Sequence, residues 1–464
     1  MNSTSSTEPR WAGLREVTTM AWPIMLGAVS FVFMDFVDKI FVSRLGIENL
    51  AAVGSAGIWA YALGIFFVGL AGCVSTFASQ SLGRGNKEDC ARYAWQGIYI
   101  SLFAGGFALL IWPFSGLFFT SMGHSPEVTA LELEYFNIRL FGFIFVAWQA
   151  VLASFFMSIG RPKIPMLAAL MANVSNVVLD YVLIFGKFGF PAMGISGAAI
   201  ATVLSIILQV VVLQWIFMND AINREYKTRS AYMWDTKKIR ELVRIGWPSG
   251  LSGFLDVASW SVFTSYIVGR FGTEQLAAHT AAINFMHLSF VPAIALNQAI
   301  APIVGRWVGQ GNIAIAKARA YTATKIGMVI MLFVGTTLAV FGETLMTVFS
   351  SDPVVIDMGH TLLILAAIFA GFDAVNIVLS GALRGVGDTR WMMWAMFIGS
   401  YGVSLPLAWF FANPVGLEAK GAWVGATIYI ILLSGFFFQR FHGEKWRHIK
   451  IFSDDTESEV SENP

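Results

Sequence analysis

VSRLGIENLAAVGSAGI, at Val42–Ile58, returns as VGRFGTEQLAAHTAAI at Val268–Ile283. Arg44, Gly46, Glu48, Leu50, Ala51 and Ala52 fall on Arg270, Gly272, Glu274, Leu276, Ala277 and Ala278 at one constant offset of 226 residues. Long apolar runs flank both copies. A membrane half written twice predicts two bundles that move against one another about a central site, the build of secondary transporters.

The repeat extends outward from this motif. Trp22-Pro23 is echoed by Trp247-Pro248, LGRGN at Leu82–Asn86 by VGQGN at Val308–Asn312, and GISGAAIAT at Gly194–Thr202 by LEAKGAWVGAT at Leu417–Thr427. SFFMSIGRP at Ser154–Pro162 matches SGALRGVGDT at Ser380–Thr389 with a gap of one residue. Apolar runs of spanning length lie near residues 17–43, 50–79, 92–119, 131–158, 163–186 and 195–218. They resume near 242–269, 276–305, 318–349, 357–382, 391–412 and 419–439. The runs are long and do not alternate with period two, so they predict helices and not barrel strands. The expected fold is an all-α integral membrane protein of twelve transmembrane helices in two six-helix lobes. Because six spans per half is even, the copies share orientation and a pseudo-two-fold axis runs along the membrane normal.

Five segments follow: 1–16, a cytoplasmic N-terminal segment; 17–218, the N-lobe; 219–241, a charged cytoplasmic linker; 242–440, the C-lobe; and 441–464, a polar tail expected to be disordered. Lys and Arg set the orientation. With both termini on one side, the opposite side holds only Lys39, Arg44, Arg139, Lys187, Arg270 and Lys420 of the 30 basic residues. The positive-inside rule then places termini and linker in the cytoplasm, with a prokaryotic inner membrane as the expected host.

Composition removes several classes. Charged residues are 13% of the chain, about half the share usual in a soluble protein. The net charge of +1 offers no basic stripe for nucleic acid. Cys73 in an apolar run and Cys90 in a charged loop predict neither a disulfide scaffold nor a cysteine metal cluster. No H-E-x-x-H, G-x-S-x-G or G-x-x-x-x-G-K-[ST] occurs, so neither an intramembrane enzyme nor an ATP-driven pump is expected.

Carboxylates inside apolar runs are costly and mark function by default. They are Asp35, Asp38, Asp180, Asp256 and Asp373, and none has a counterpart in the other repeat: Asp38 falls opposite Thr264, Asp180 opposite Pro406 and Asp373 opposite Ala147. The frame is repeated while the acids are not. Asn173, Asn176 and Asp180 share one helix face, as a titrating site or as polar glue between helices. Lys39 lies four residues after Asp35 and can pair with it, which leaves Asp38 the better candidate and Asp35 in reserve. Neither Asp256 nor Asp373 has a Lys or Arg within a helical turn; Asn376 is one turn from Asp373, and Asn284 and Asn297 decorate helix eight. Brought together, the two acids would bind Na⁺ through oxygen or share a proton. Pro23 and Pro248, in the first turns of helices one and seven, are candidate hinges.

FVDKIFVSRLGIENLAAVG, GRGN, NVVLDYVLIFG, GISGAAIAT, FGTEQLAAH and DAVNIVLSGALRGVGDT, in this order and duplicated, resemble the multidrug and toxic compound extrusion (MATE) family over residues 12–440. The pattern is most similar to its NorM-like and DinF-like bacterial branches. The resemblance implies export of organic, often cationic, compounds driven by inward Na⁺ or H⁺. It implies no cofactor beyond that coupling ion, and a monomer in the bilayer is expected. By the same resemblance Asp38 is the helix-one acid, Asn176, Asp180 and Thr202 form the N-lobe polar cluster, and Asp256 and Asp373 are the C-lobe cation acids. Two departures stand out: Asp256 replaces the usual Glu, and Phe369 occupies a position where a Tyr can occur. A lipid-linked oligosaccharide flippase of the same superfamily is the alternative. It would need a basic central cavity, whereas the intramembrane ionisable residues here are mostly acidic.

Overall fold

In a computed structural model, which describes residues 10–453, the described residues are almost entirely helical. The spans are α1 (Arg10–Ser43), α2 (Ile47–Gly83), α3 (Lys87–Thr120), α4 (Pro126–Ser158), α5 (Lys163–Phe185) and α6 (Gly194–Phe217). They continue as α7 (Thr236–Phe271), α8 (Thr273–Gly309), α9 (Ile313–Met346), α10 (Pro353–Val386), α11 (Thr389–Ala412) and α12 (Glu418–His442). Among the described residues eleven of these are long and apolar enough to cross a membrane as single helices. The two parts of α8, Thr273–His287 and Ser289–Gly309, make the twelfth span.

The repeated motifs are the turns between spans. Gly46 and Gly272 take φ values of 125° and 97°, a region closed to most side chains, and so start α2 and α8. Asn86 and Asn312 then cap α3 and α9, accepting from Asp89 N at 3.2 Å and Ile315 N at 3.4 Å. Ser125-Pro126 and Asp352-Pro353 open α4 and α10 by one rule, a side-chain acceptor followed by a proline whose missing N–H costs nothing there. Duplication therefore preserved punctuation first.

Contacts divide the chain into two compact units, and neither is a simple half of the sequence. Of the described residues, one unit comprises Leu26–Phe254 with 450–453; the other comprises 10–25 with Leu255–Ile449. Inside the first, α2, α3 and α6 pack on α4, and α5 packs on α6. Inside the second, α8, α9 and α12 pack on α10, and α11 packs on α12. The two repeats thus fold by the same packing scheme.

The first part of α7 joins the first unit by backbone contact. A Cβ on Gly250 would lie 2.3 Å from Phe66 O, and one on Gly246 2.7 Å from Leu70 O. The spacing of these two glycines is the small-xxx-small pattern that lets membrane helices touch. The start of α1 joins the second unit by charge. Glu16 accepts from Arg319 Nε at 2.6 Å, from Trp307 Nε1 at 3.2 Å and from Arg306.

Two local expectations need correction, the place of the hinge prolines and the disorder of residues 441–453. Pro23 and Pro248 are not at helix entries. α1 starts at Arg10 and α7 at Thr236, because their polar first turns project beyond the apolar run that hydropathy detects. Both prolines are buried within continuous helix, where each removes a backbone hydrogen bond. The linker 219–241 holds a short helix, Asp220–Tyr226, before α7 begins at Thr236. Residues 441–453 are packed, with Trp446 and Ile451 each 2% exposed, because three large apolar side chains in this polar stretch find distant partners. The remainder of the expected disordered tail, 454–464, lies outside the described residues, as do residues 1–9.

Thermal unfolding of the detergent-purified chain checks this account. Gly250→Ala is expected to cost roughly 1–3 kcal/mol by overpacking, whereas Gly54→Ala, at a position with nothing within 4 Å, should be neutral or stabilising. Glu16→Ala, which removes the acceptor shared by Arg306, Trp307 and Arg319, is expected to cost about 1–3 kcal/mol. Asp35→Ala, which removes an exposed pair, should cost less than about 1 kcal/mol.

Candidate functional site

Two groups of acids form, one in each unit. In the first, Asn176 and Asp180 stand one turn apart on α5 and are fully buried. With its amide turned as the hydrogen-bond network requires, Asn176 donates to Asp38 Oδ1 at 3.1 Å and to Asp180 Oδ2 at 3.3 Å. Asp38 and Asp180 lie within hydrogen-bonding reach of each other. Carboxylates only accept, so that contact is satisfied only by a proton or cation between them. Asp180 Oδ1 is buried and has no other partner among the described residues.

Tyr135 and Arg139, one turn apart on α4, lie within electrostatic range of both acids. The guanidinium sits 5.9 Å from the Tyr135 ring and makes no ion pair with either carboxylate. Sequence reasoning missed Tyr135 and counted Arg139 only among outer bases. The available signal was a cation inside an apolar run, itself a functional marker.

The remaining first-unit candidates are placed differently. Asn173 donates to Ser30 Oγ at 2.7 Å and ties α5 to α1, so the Asn173/Asn176/Asp180 stripe divides into a tether and a site. Thr202 spends its hydroxyl on Ala198 O at 3.0 Å. Asp35 pairs with Lys39 at 2.7 Å, both side chains about half exposed.

In the second unit Asp256 on α7 and Asp373 on α10 lie within electrostatic range of each other. Asn376 donates to Asp373 Oδ1 at 3.4 Å, whereas Asp256 makes no hydrogen bond or ion pair among the described residues. Two tyrosines that sequence reasoning did not single out approach them. Tyr429 on α12 is in range of both acids and shares a 3.0 Å hydrogen bond with Ser400; Tyr401 is in range of Asp256 and donates to Leu255 O at 3.3 Å. Ser400 and Tyr401 belong to a π-helical turn, Ile398–Ser404, a distortion that often marks functional sites. Phe369 is buried and brings no oxygen. Asn284 donates to Thr280 O at 3.0 Å and lines a cavity of about 390 Å³ with Thr273, Thr280, Phe349 and Ser350. Among the described residues no three His, Cys, Asp or Glu gather as a metal cluster.

The chain as a whole is similar to known proteins. The probable multidrug resistance protein NorM of Thermotoga maritima is 27% identical over 454 residues, covering 96% of each chain. That of Brucella suis is 29% identical over 437 residues, covering 91% of each. Among solved structures, a mutant of the Vibrio cholerae MATE transporter VcmN superposes with a TM-score of 0.86 at 20% identity, over 95% of this chain and 99% of that one. A transporter of the MOP superfamily from Pyrococcus furiosus gives 0.85 at 22% identity, over 93% and 95%. The fold is therefore that of the MATE transporters. The MatE family profile matches residues 23–182 and 248–410, one segment in each repeat and more than half of the sequence, and the chain belongs to the MatE family.

Proposed function

We propose that this chain exports small organic cations in exchange for protons that bind at Asp38 and Asp180. The observation that carries the reading is a carboxyl pair, half-buried Asp38 and fully buried Asp180 bridged by Asn176, that needs a proton or cation to be satisfied. An incoming proton and an outgoing organic cation compete for the same negative charge. A ligand shifts an alternating equilibrium only by binding its two states differently. A site that is neutral when protonated and anionic when empty supplies that difference.

Asp256 and Asp373 form a second coupling site, for Na⁺ or H⁺. Support comes from Asp256, which lacks a partner among the described residues, and from the Tyr429 phenol, which offers oxygen where Phe369 offers none. Two carboxylates and a phenol are a hard, oxygen-only set of the kind alkali and alkaline-earth cations choose. The protein works as a monomer in a prokaryotic plasma membrane with its basic linker and termini cytoplasmic, and Pro23 and Pro248 act as hinges. The asymmetry of Lys and Arg and the bacterial sources of its relatives support the placement.

Efflux of a fluorescent organic cation from vesicles, under separately imposed proton and sodium gradients, tests the reading. Asp180→Asn should lower proton-driven export by about tenfold or more, and Asp35→Asn should stay within about twofold of the parent. Asp373→Asn should remove any sodium-driven component and leave the proton-driven one. Full proton-driven export by Asp180→Asn would remove the pair from the mechanism. A parent chain idle under both gradients would remove antiport itself.

A further inference from the structure

Between the repeats runs AINREYKTRSAYMWDTKKIR, Ala221–Arg240. It is docked on α3. Helix Asp220–Tyr226 buries Ile222 and Tyr226 and is held by Glu225, which pairs with Lys87 at 2.8 Å. Trp95 Nε1 donates to Thr228 O at 2.7 Å, and Tyr99 Oη donates to Tyr232 O. Gln96 donates to Met233 O at 2.9 Å and accepts from Asp235 N at 3.0 Å. The Trp234 ring then lies 5.4 Å from Tyr99 and 6.3 Å from Phe103, centroid to centroid.

This docking fixes a depth. α3 carries no charged residue after Arg92. Counting back from Thr120 the roughly 20 residues that cross a hydrocarbon layer reaches Ser101. Trp234, against Tyr99 and Phe103, therefore stands at the hydrocarbon edge, where Trp and Tyr concentrate in membrane proteins. Tyr232, Met233 and Trp234 are 57%, 74% and 56% exposed, and Trp234 extends an apolar surface that continues through exposed Leu102, Phe103 and Phe107. Charge accompanies them. Arg224, Lys227 and Arg240 are exposed and make no ion pair among the described residues. The acids of the stretch are committed: Glu225 to Lys87, and Asp235 to the backbone N–H groups of Lys237 and Lys238.

We infer that Tyr232–Trp234 is an interfacial anchor seated among lipid headgroups, and that Arg224, Lys227 and Arg240, which flank it in sequence, hold anionic phospholipid. Apolar side chains at the hydrocarbon edge beside uncompensated basic ones match an anionic leaflet surface. Thr236 begins α7 two residues after Trp234, so the anchor also sets the depth at which the second repeat enters the bilayer.

Both native thiols are buried, so Met233→Cys supplies one accessible site for an environment-sensitive fluorophore, with the labelled parent as blank. In vesicles of phosphatidylcholine with phosphatidylglycerol, the label should be quenched by lipid brominated near its headgroup and shielded from aqueous iodide. A label open to iodide and untouched by brominated lipid overturns the anchor. The detergent-purified full chain should bind fluorescent phosphatidylglycerol in preference to fluorescent phosphatidylcholine. Arg224→Gln, Lys227→Gln and Arg240→Gln should each cut that preference about fivefold. Equal binding of the two lipids, or a preference the three substitutions leave intact, overturns the anionic site.

Discussion

Lipid hydrocarbon offers no hydrogen-bond partner, so every polar group at membrane depth must find one inside the protein. Helices satisfy the backbone, and side chains satisfy what remains. Asn297 shows how completely: its amide donates to Ile377 O at 2.6 Å and Ser380 Oγ at 2.8 Å, and its carbonyl accepts from Arg384 at 2.6 Å. Ser158 reaches Ser75 O at 3.2 Å in the same manner. Against this background, Asp180 Oδ1 and the unbonded carboxylate of Asp256 are conspicuous. In a medium that penalises unpaired charge, an unpaired carboxylate marks a candidate functional site.

The frame obeys a different force. Apolar surface gains little by leaving lipid for protein, so helices associate through close packing, and glycine lets backbones meet. Gly381 and Gly385 of α10 face Asn297 O and Ala301 O of α8, each 2.3 Å from where a Cβ would stand; Gly421 of α12 is equally close to Phe411 O of α11. These contacts leave no latitude for side chains. Asp373 stands on one of these helices, α10, whose backbone is thereby held against α8.

Much of the fold was legible because bilayer thickness imposes long apolar runs, and a repeated turn grammar counts them. Asp38, Asn176 and Asp180 were legible for a related reason: helical spacing aligns Asn176 with Asp180, and a carboxylate in a greasy run advertises its cost. Tyr429, Tyr401 and Ser400 were not, since a hydroxyl in an apolar run costs little and only tertiary packing brings it to an acid. Helix starts were misjudged for a third reason. Hydropathy reports where lipid begins, whereas a helix begins where a cap allows, as at Thr236, where Asp235 accepts from the N–H groups of Lys237 and Lys238. The packed stretch 441–453 escaped notice because Trp446, Ile451 and Phe452 are sparse in sequence and acquire meaning only from what they cover.

Phe452 packs on Phe77 and Tyr93 and lies under Arg84, whose guanidinium is 4.0 Å from its ring; Ser453 is held by Glu241, and Arg244 grips the carbonyls of Lys450 and Ile451. The unit built mostly from the first repeat is therefore finished by residues that follow the second repeat in sequence. Phe77, Tyr93 and the Glu241 carboxylate wait for this cover until the five spans that follow α7 have been made. Loss of residues 450–453 consequently damages the unit that the first repeat builds, and that unit cannot be completed before α12 has been made.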